Sequence, residues 1–223
     1  MPQITELAWF PLKEGARDSD AWATLKKLGP DLRAQPGLEA SWHGAPLERP
    51  QSSEIVNVWA SSDAYTASKS SPLHAAAAKL MVELVDASSD PAAPKPYHNA
   101  VVFDAPFAAV AAAPLVQMSS VFLPLDIDAP AFEAAWASVV ASLRENGPPD
   151  GFVAGVHGWA LEAVHGIPKF PAGAKVFVTA SGWESLEKNV AAHVGVADKF
   201  AEVQRFSDVF EAHHVSFKKA GED

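Results

Sequence analysis

With 223 residues, 48% hydrophobic and 20% charged, the chain has the composition of a globular protein, long enough for one large domain or two of roughly 100 residues. A net charge of -10, with no cluster of Lys and Arg to override it, argues against a nucleic-acid partner, and no apolar run approaches the ~20 residues that span a bilayer. The absence of cysteine excludes disulfides, thiolate metal sites and a cysteine nucleophile, and the start from Met1 to Glu6 has neither a basic nor an apolar leader region, so a cytoplasmic location is the default expectation.

In chain order, residues 4–12 alternate apolar and mixed side chains, the pattern of a half-buried strand. Over 20–34, Trp22, Leu25, Leu28 and Leu32 recur at three- and four-residue steps behind Asp18 and Asp20, which predicts an amphipathic helix. Residues 37–43 and 54–61 read as strands, the second rich in Ile55, Val56, Val58 and Trp59. An irregular helical stretch runs from Asp63 to Asp86, and a strand covers 97–103. The alanine-rich stretch 104–115, bounded by Pro106 and Pro114, reads as a linker. Beyond it the order repeats: strand 117–125, helix 129–146, strands 151–158 and 174–181, helix 183–208 and strand 211–218.

Self-similarity supports that repetition. Residues 36–48 and 150–162 share a glycine followed by His-Gly-x-x-Leu-Glu at the same spacing, with His43 opposite His157. Ala60-Ser61 matches Ala180-Ser181, Lys69 matches Lys188, His74 matches His193, and His98 falls opposite His213. The expectation is therefore an α+β protein of two ferredoxin-like βαββαβ repeats, over 1–103 and 116–219, joined by the linker 104–115. Packed sheet against sheet, the repeats would form an intramolecular dimeric-type α+β barrel, an internal pseudo-dimer with room for further self-association.

Ser71-Pro72-Leu73-His74-Ala75 and the run from Ala191 through His193 to Phe200 resemble the Pro-x-His helix motif of the stress-responsive dimeric α+β barrel (Dabb) family, which includes plant olivetolic acid cyclase. The strands 55–61 and 176–181 sit where that family places its third strand, and the resemblance covers both halves. It implies a cofactor-independent enzyme whose motif histidine acts as base in an aldol ring closure, a role that falls on His74 and His193. The cyclase's histidines on the first and third strands are replaced by Glu6 and Glu54 in the first half, and by Ser119 and Lys175 or a neighbour in the second; its tyrosine before the motif histidine becomes Ser68 or Glu187.

The residues themselves offer the following candidates. His74 and His193 lie in apolar surroundings, where an imidazole with a pKa near ~6.5 suits a general base; the alternative is a histidine that caps a break in the helix. Trp9, Trp42, Trp59 and Tyr97, with His43 and His98, could line an apolar pocket in the first half, although such aromatics are more often core. His43 and His157, each beside a glycine at a strand end, read more simply as turn or seam contacts. Adjacent His213 and His214 point to opposite faces of a strand and suit no shared metal, and no ligand spacing or glycine-rich phosphate loop appears. Neither metal nor cofactor is expected. Pro72, two residues before His74, points to a cavity beside His74, with the second half as scaffold.

Two functions follow. One is a cofactor-independent lyase or cyclase with a histidine base, acting on a small apolar molecule of which a polyketide is one type. The other is a non-catalytic stress-response or small-ligand-binding barrel protein. A monooxygenase of a related barrel family ranks third, for want of a motif.

Overall fold

The structure is a computed structural model that describes residues 2–87, 97–145, 147–194 and 197–222. The chain divides into two compact units, one of Met1–Phe103 with Val215–Asp223 and the other of Asp104–His214. Both carry the βαββαβ order, so the α+β class with two ferredoxin-like repeats read from the sequence is the fold observed.

In the first unit the elements are β1 (Ile4–Pro11), α1 (Asp20–Arg33), β2 (Leu38–Gly44), β3 (Ser52–Trp59), α2 (Ser62–Lys69), α3 (Pro72–Leu84) and β4 (Tyr97–Phe103). The helices start where serines cap them. Ser19, Ser61 and Ser71 accept hydrogen bonds from the backbone N–H of Trp22, Ala64 and His74. The irregular helical stretch is thus two helices, because Pro72 cannot continue the ladder of α2 but is well placed in the first turn of α3.

The strand order is β4-β1-β3-β2. Residues paired across an antiparallel ladder share a face, so Glu6, Ala8 and Phe10 lie with Asn57, Ile55 and Ser53 on the side that takes the helices. There Phe10, Leu12, Ala16 and Leu84 form a core against Trp22, Leu25 and Met81. Trp9, Leu7 and Thr5, paired with Tyr97, Asn99 and Val101, occupy the opposite face. Between Leu38 and Ala40 the β2–β3 register slips by one residue. This bulge breaks the strict alternation of a strand: Leu38 shares a face with Ser41 and His43, while Ala40 and Trp42 lie on the other.

In the second unit, α4 (Ala108–Ala111) precedes β5 (Leu115–Pro124), α5 (Ala129–Arg144), β6 (Phe152–Ala160), β7 (Ala174–Trp183), α6 (Leu186–Val194), α7 (Ala197–Gln204) and β8 (Phe210–Val215). The single helix expected over 183–208 is two; Gly195 and Val196 of the histidine motif lie outside the described residues. The strand order is β8-β5-β7-β6, and the β6–β7 register slips between Phe152 and Ala154 as it does in the first unit. Gly37 and Gly151 precede the two bulged strands at φ of 82° and 75°, and a Cβ on either would lie 2.5 or 2.2 Å from Ala64 or Lys188, so only glycine fits there.

The stretch read as a linker packs as part of the second unit. Phe107, Val110 and Ala113 are buried, and the stretch lies so close to β7 that a Cβ on Gly182 would sit 2.7 Å from the Ala113 methyl. The tail after β8 belongs to the first unit: β9 (Lys218–Lys219) pairs with Trp42 and His43 of β2. The core of the second unit centres on Phe132, whose ring meets Phe177, Phe206 and Trp159 at 5.0, 5.7 and 5.6 Å.

A buried carboxylate organises the helix-facing side of the first unit. Glu6 accepts hydrogen bonds from Asn57 Nδ2 and Trp59 Nε1, both at 3.0 Å, and lies 2.6 Å from His98 Nε2. Burial alone raises its pKa, but these hydrogen bonds and the His98 charge outweigh burial and hold the carboxyl below its ordinary value of 4.5.

A folded pKa below the unfolded one means stability that is fully present above the unfolded value and lost as pH falls through the folded one. Glu6→Gln should therefore lower stability by roughly 2 kcal/mol at pH 7, and unfolding curves on either side of pH 4.5 should show a smaller acid loss than in the parent chain. Equal acid loss in both would contradict this account. Phe132→Ala, which empties the centre of the second core, should cost about 3–5 kcal/mol in denaturant unfolding.

Candidate functional site

On β5, β7 and β6 the register sets Gln117, Ser119 and Val121 beside Ser181, Thr179 and Phe177, and these beside Gly155 and His157, all on the helix-facing side of the second sheet. Between that surface and the helices lies a cavity of about 380 Å³. Trp136, Val140 and Leu143 of α5, His193 of α6, Phe200 and Val203 of α7, and Phe210 of β8 complete its wall, which is mostly apolar and aromatic.

Two histidines reach this cavity. His193 Nδ1 lies 2.8 Å from the backbone oxygen of Asn189, and its ring packs against Trp183 and Phe200 at 6.2 and 5.7 Å. A carbonyl oxygen only accepts, so Nδ1 carries the proton and Nε2 of the neutral ring carries the lone pair. His157 Nδ1 lies 3.2 Å from Asp104 Oδ2, while its backbone N–H donates to Asp104 Oδ1 at 2.8 Å. Its ring faces Trp136 and Phe177 at 6.3 and 5.6 Å. Both histidines are half-buried.

Asn189 ties the site together. Its buried side chain donates to Gln117 Oε1 at 2.9 Å and accepts from His214 Nε2 at 3.0 Å, while its carbonyl holds His193. In the first unit, Tyr65 stands four residues after the cap Ser61, as Asn189 stands four after Ser185. The Tyr65 ring packs on Trp59 and His98, at 6.5 and 6.4 Å. Register likewise sets Glu6 opposite Gln117 in role, and Trp59 opposite Trp183.

This alignment revises several expectations. Counting from the caps, His193 corresponds to Lys69, each eight residues on, and His74 falls in the first turn of α3. The matching of Ser61 with Ser181 was one helical turn out. Pro72 starts a helix and does not open a pocket, and the 380 Å³ cavity lies beside His193 and not beside His74. Nor do the first-unit candidates form one lining. Trp9, Trp42 and Tyr97 lie on one face of their sheet, with Trp9 and Tyr97 stacked at 6.4 Å, whereas Trp59, His43 and His98 lie on the helix-facing side. Glu54, paired with Trp9, is on the face opposite Glu6.

Among residues that sequence reasoning passed over, His157 was legible as a repeated His-Gly but read as a seam contact. Asp104 carried no signal, being 53 residues away in the presumed linker. Asn189, Gln117 and Trp136 become recognisable only once register and caps are known. Among the described residues, no group of three or more His, Cys, Asp or Glu could hold a metal ion. No helix there is long and apolar enough to cross a membrane.

No family model matches the chain, and no curated relative matches it. Solved structures do. An anthrone oxidase-like protein aligns with 100% of this chain and 95% of its own, at 10% identity and a TM-score of 0.68. A candidate monooxygenase from Lactobacillus acidophilus NCFM aligns over 99% of this chain and 96% of its own, at 9% identity and a TM-score of 0.59. A second, from Fusobacterium nucleatum subsp. nucleatum ATCC 25586, covers 99% and 95%, at 9% identity and a TM-score of 0.54. At such identities the likeness is one of fold.

Proposed function

We propose that the chain is a cofactor-independent enzyme of the lyase or cyclase type. It takes a small, flat, largely apolar metabolite of polyketide character into the cavity of the second unit, and His193 removes a proton from carbon there. The observation that carries this reading is the His193 imidazole on the wall of a 380 Å³ aromatic cavity, with Nδ1 committed to the Asn189 carbonyl and Nε2 left as the base. Apolar walls favour a substrate with extended ring surface, and they destabilise a bare carbanion unless its charge moves onto an oxygen. The substrate therefore carries a carbonyl next to the acidic C–H. The resulting enolate can close a ring on a second carbonyl or expel a leaving group, without metal or redox partner.

A second reading keeps the same first step. The names of the structural neighbours, a monooxygenase and an anthrone oxidase-like protein, favour an enolate that reacts with dioxygen instead of with an internal carbonyl. Both readings differ from a non-catalytic binding protein, which would hold the ligand and leave its C–H untouched.

Anthrone, a flat ketone with an acidic methylene, serves as probe. It should quench the fluorescence of Trp136 and Trp183, which line the cavity, and anaerobically in D2O the protein should speed deuterium uptake at its methylene. His193→Ala should slow that uptake by about 10²–10⁴-fold, and His74→Ala should not. Quenching without faster exchange would favour the binding-protein reading, and equal exchange in both variants would remove His193 from the role. Adding dioxygen separates oxygenase from cyclase by the appearance of anthraquinone. Asn189→Tyr, which brings the first unit's aromatic ring into the second, should abolish quenching while the circular dichroism spectrum is retained.

A further inference from the structure

Resting on the reading just given, we infer that His157 is a second catalytic residue of the same cavity, which protonates the substrate oxygen as His193 deprotonates carbon, and that Asp104 is its positioning residue. The geometry points to this through a two-point clasp. One carboxylate oxygen of Asp104 takes the His157 backbone N–H at 2.8 Å, and the other lies 3.2 Å from Nδ1. The Asp104 backbone N–H returns a bond to the His157 carbonyl at 2.9 Å, so the two residues are locked in register. A carboxylate accepts only, so its place beside Nδ1 favours the proton there and leaves Nε2 as the atom that exchanges with a ligand.

Both His157 and Asp104 line the cavity, and the His157 ring is held against Trp136 of α5 and Phe177 of β7. The remaining charged or titratable groups on the wall are Arg144 of α5 and His193 of α6. His193 is separated from His157 along the wall by Phe200 and Trp136, whose rings are 6.2 Å apart. A flat substrate lying against those rings has one imidazole near each end. A seam contact would need neither the second carboxylate oxygen nor a place on the cavity wall.

The step balances without an oxidant. The C–H bond breaks and its proton passes to His193 Nε2. The electron pair forms a carbon–carbon double bond, and the carbonyl π pair moves to oxygen, which takes the Nε2 proton of protonated His157. Keto becomes enol, His193 gains the proton that His157 loses, and exchange with solvent resets the pair. The Asp104 carboxylate supplies the countercharge for the protonated ring and keeps its Nε2–H turned to the ligand.

The test uses anaerobic anthrone in D2O, with methylene exchange followed by proton NMR, together with nitrogen-15 correlation spectra that report the histidine tautomers. The wild-type His157 should appear as the Nδ1–H tautomer when neutral. His157→Gln should lower the exchange kcat by roughly 10²-fold with KM unchanged. Asp104→Asn keeps an oxygen for the His157 backbone N–H, so the fold is retained. It should mix the His157 tautomers and lower kcat in the same direction, again without a change in KM. Wild-type kcat in both variants, beside loss in His193→Ala, would overturn this assignment and leave the proposed function standing. An Nε2–H tautomer in the wild type would overturn it too. No exchange by the wild-type protein would remove the proposed function and this assignment with it.

Discussion

A single buried amide, the side chain of Asn189, joins the helix of the second unit to its sheet. It sits four residues inside a capped helix, over the first strands of the sheet, at the place where the first unit has Tyr65. A tyrosine there packs its ring on Trp59 and His98. An amide fills less, so its donor and acceptor must find partners, because an unmet buried polar group costs about 1–3 kcal/mol. Gln117 and His214 meet that need from β5 and β8, and the helix carbonyl of the same residue holds His193. The polar network therefore ties α6 to β5 and β8, and aromatic rings of α5 and α7 line the cavity that His193 borders.

The opposing solution in the first unit shows why the strand position below is occupied differently. Glu6 and Gln117 stand at equivalent points of their ladders. A buried carboxylate requires several donors at once, and Asn57, Trp59 and His98 close around it. Closure is the condition of burying the charge, so a carboxylate there belongs to a filled core. The neutral Gln117 carries no such requirement and can border a cavity. The three donors that serve Glu6 include two residues read from sequence as ligand contacts, Trp59 and His98; Trp59 Nε1 and His98 Nε2 are spent on the core.

Much of the fold was legible because periodicity is local. The strands of both halves, α1 and α5 lie within a few residues of their expected ranges, and a shared Gly-x-x-x-x-x-His spacing in β2 and β6 reported equivalent strands. What failed were the points where one residue changes parity. The bulges at Leu38–Ala40 and Phe152–Ala154 move every later side chain to the other face, and no hydrophobic pattern in so short a strand announces them. The histidine alignment failed by a similar small count. Matching Ala-Ser pairs ignored which serine caps a helix, whereas the cap geometry at Ser61 and Ser185 sets the true spacing. The site failed hardest where it is least local, since Asp104 meets His157 across 53 residues through a segment whose alanine content looked like a tether.

The two cavity histidines share one logic despite their different partners. In each, an oxygen that can only accept sits at Nδ1: a backbone carbonyl for His193 and a carboxylate for His157. Each ring is thereby given a partner that orients it, an orientation which a histidine in bulk solvent would have to adopt at each encounter. The partners differ in charge, and that difference divides the labour. A neutral carbonyl orients the ring without adding a countercharge, which suits a group that begins as a base. A carboxylate adds a countercharge beside the ring, which suits a group proposed to act as an acid. An apolar cavity with one of each can move a proton from carbon to oxygen without ever holding a full, unbalanced charge on the substrate, and apolar walls tolerate only that kind of path.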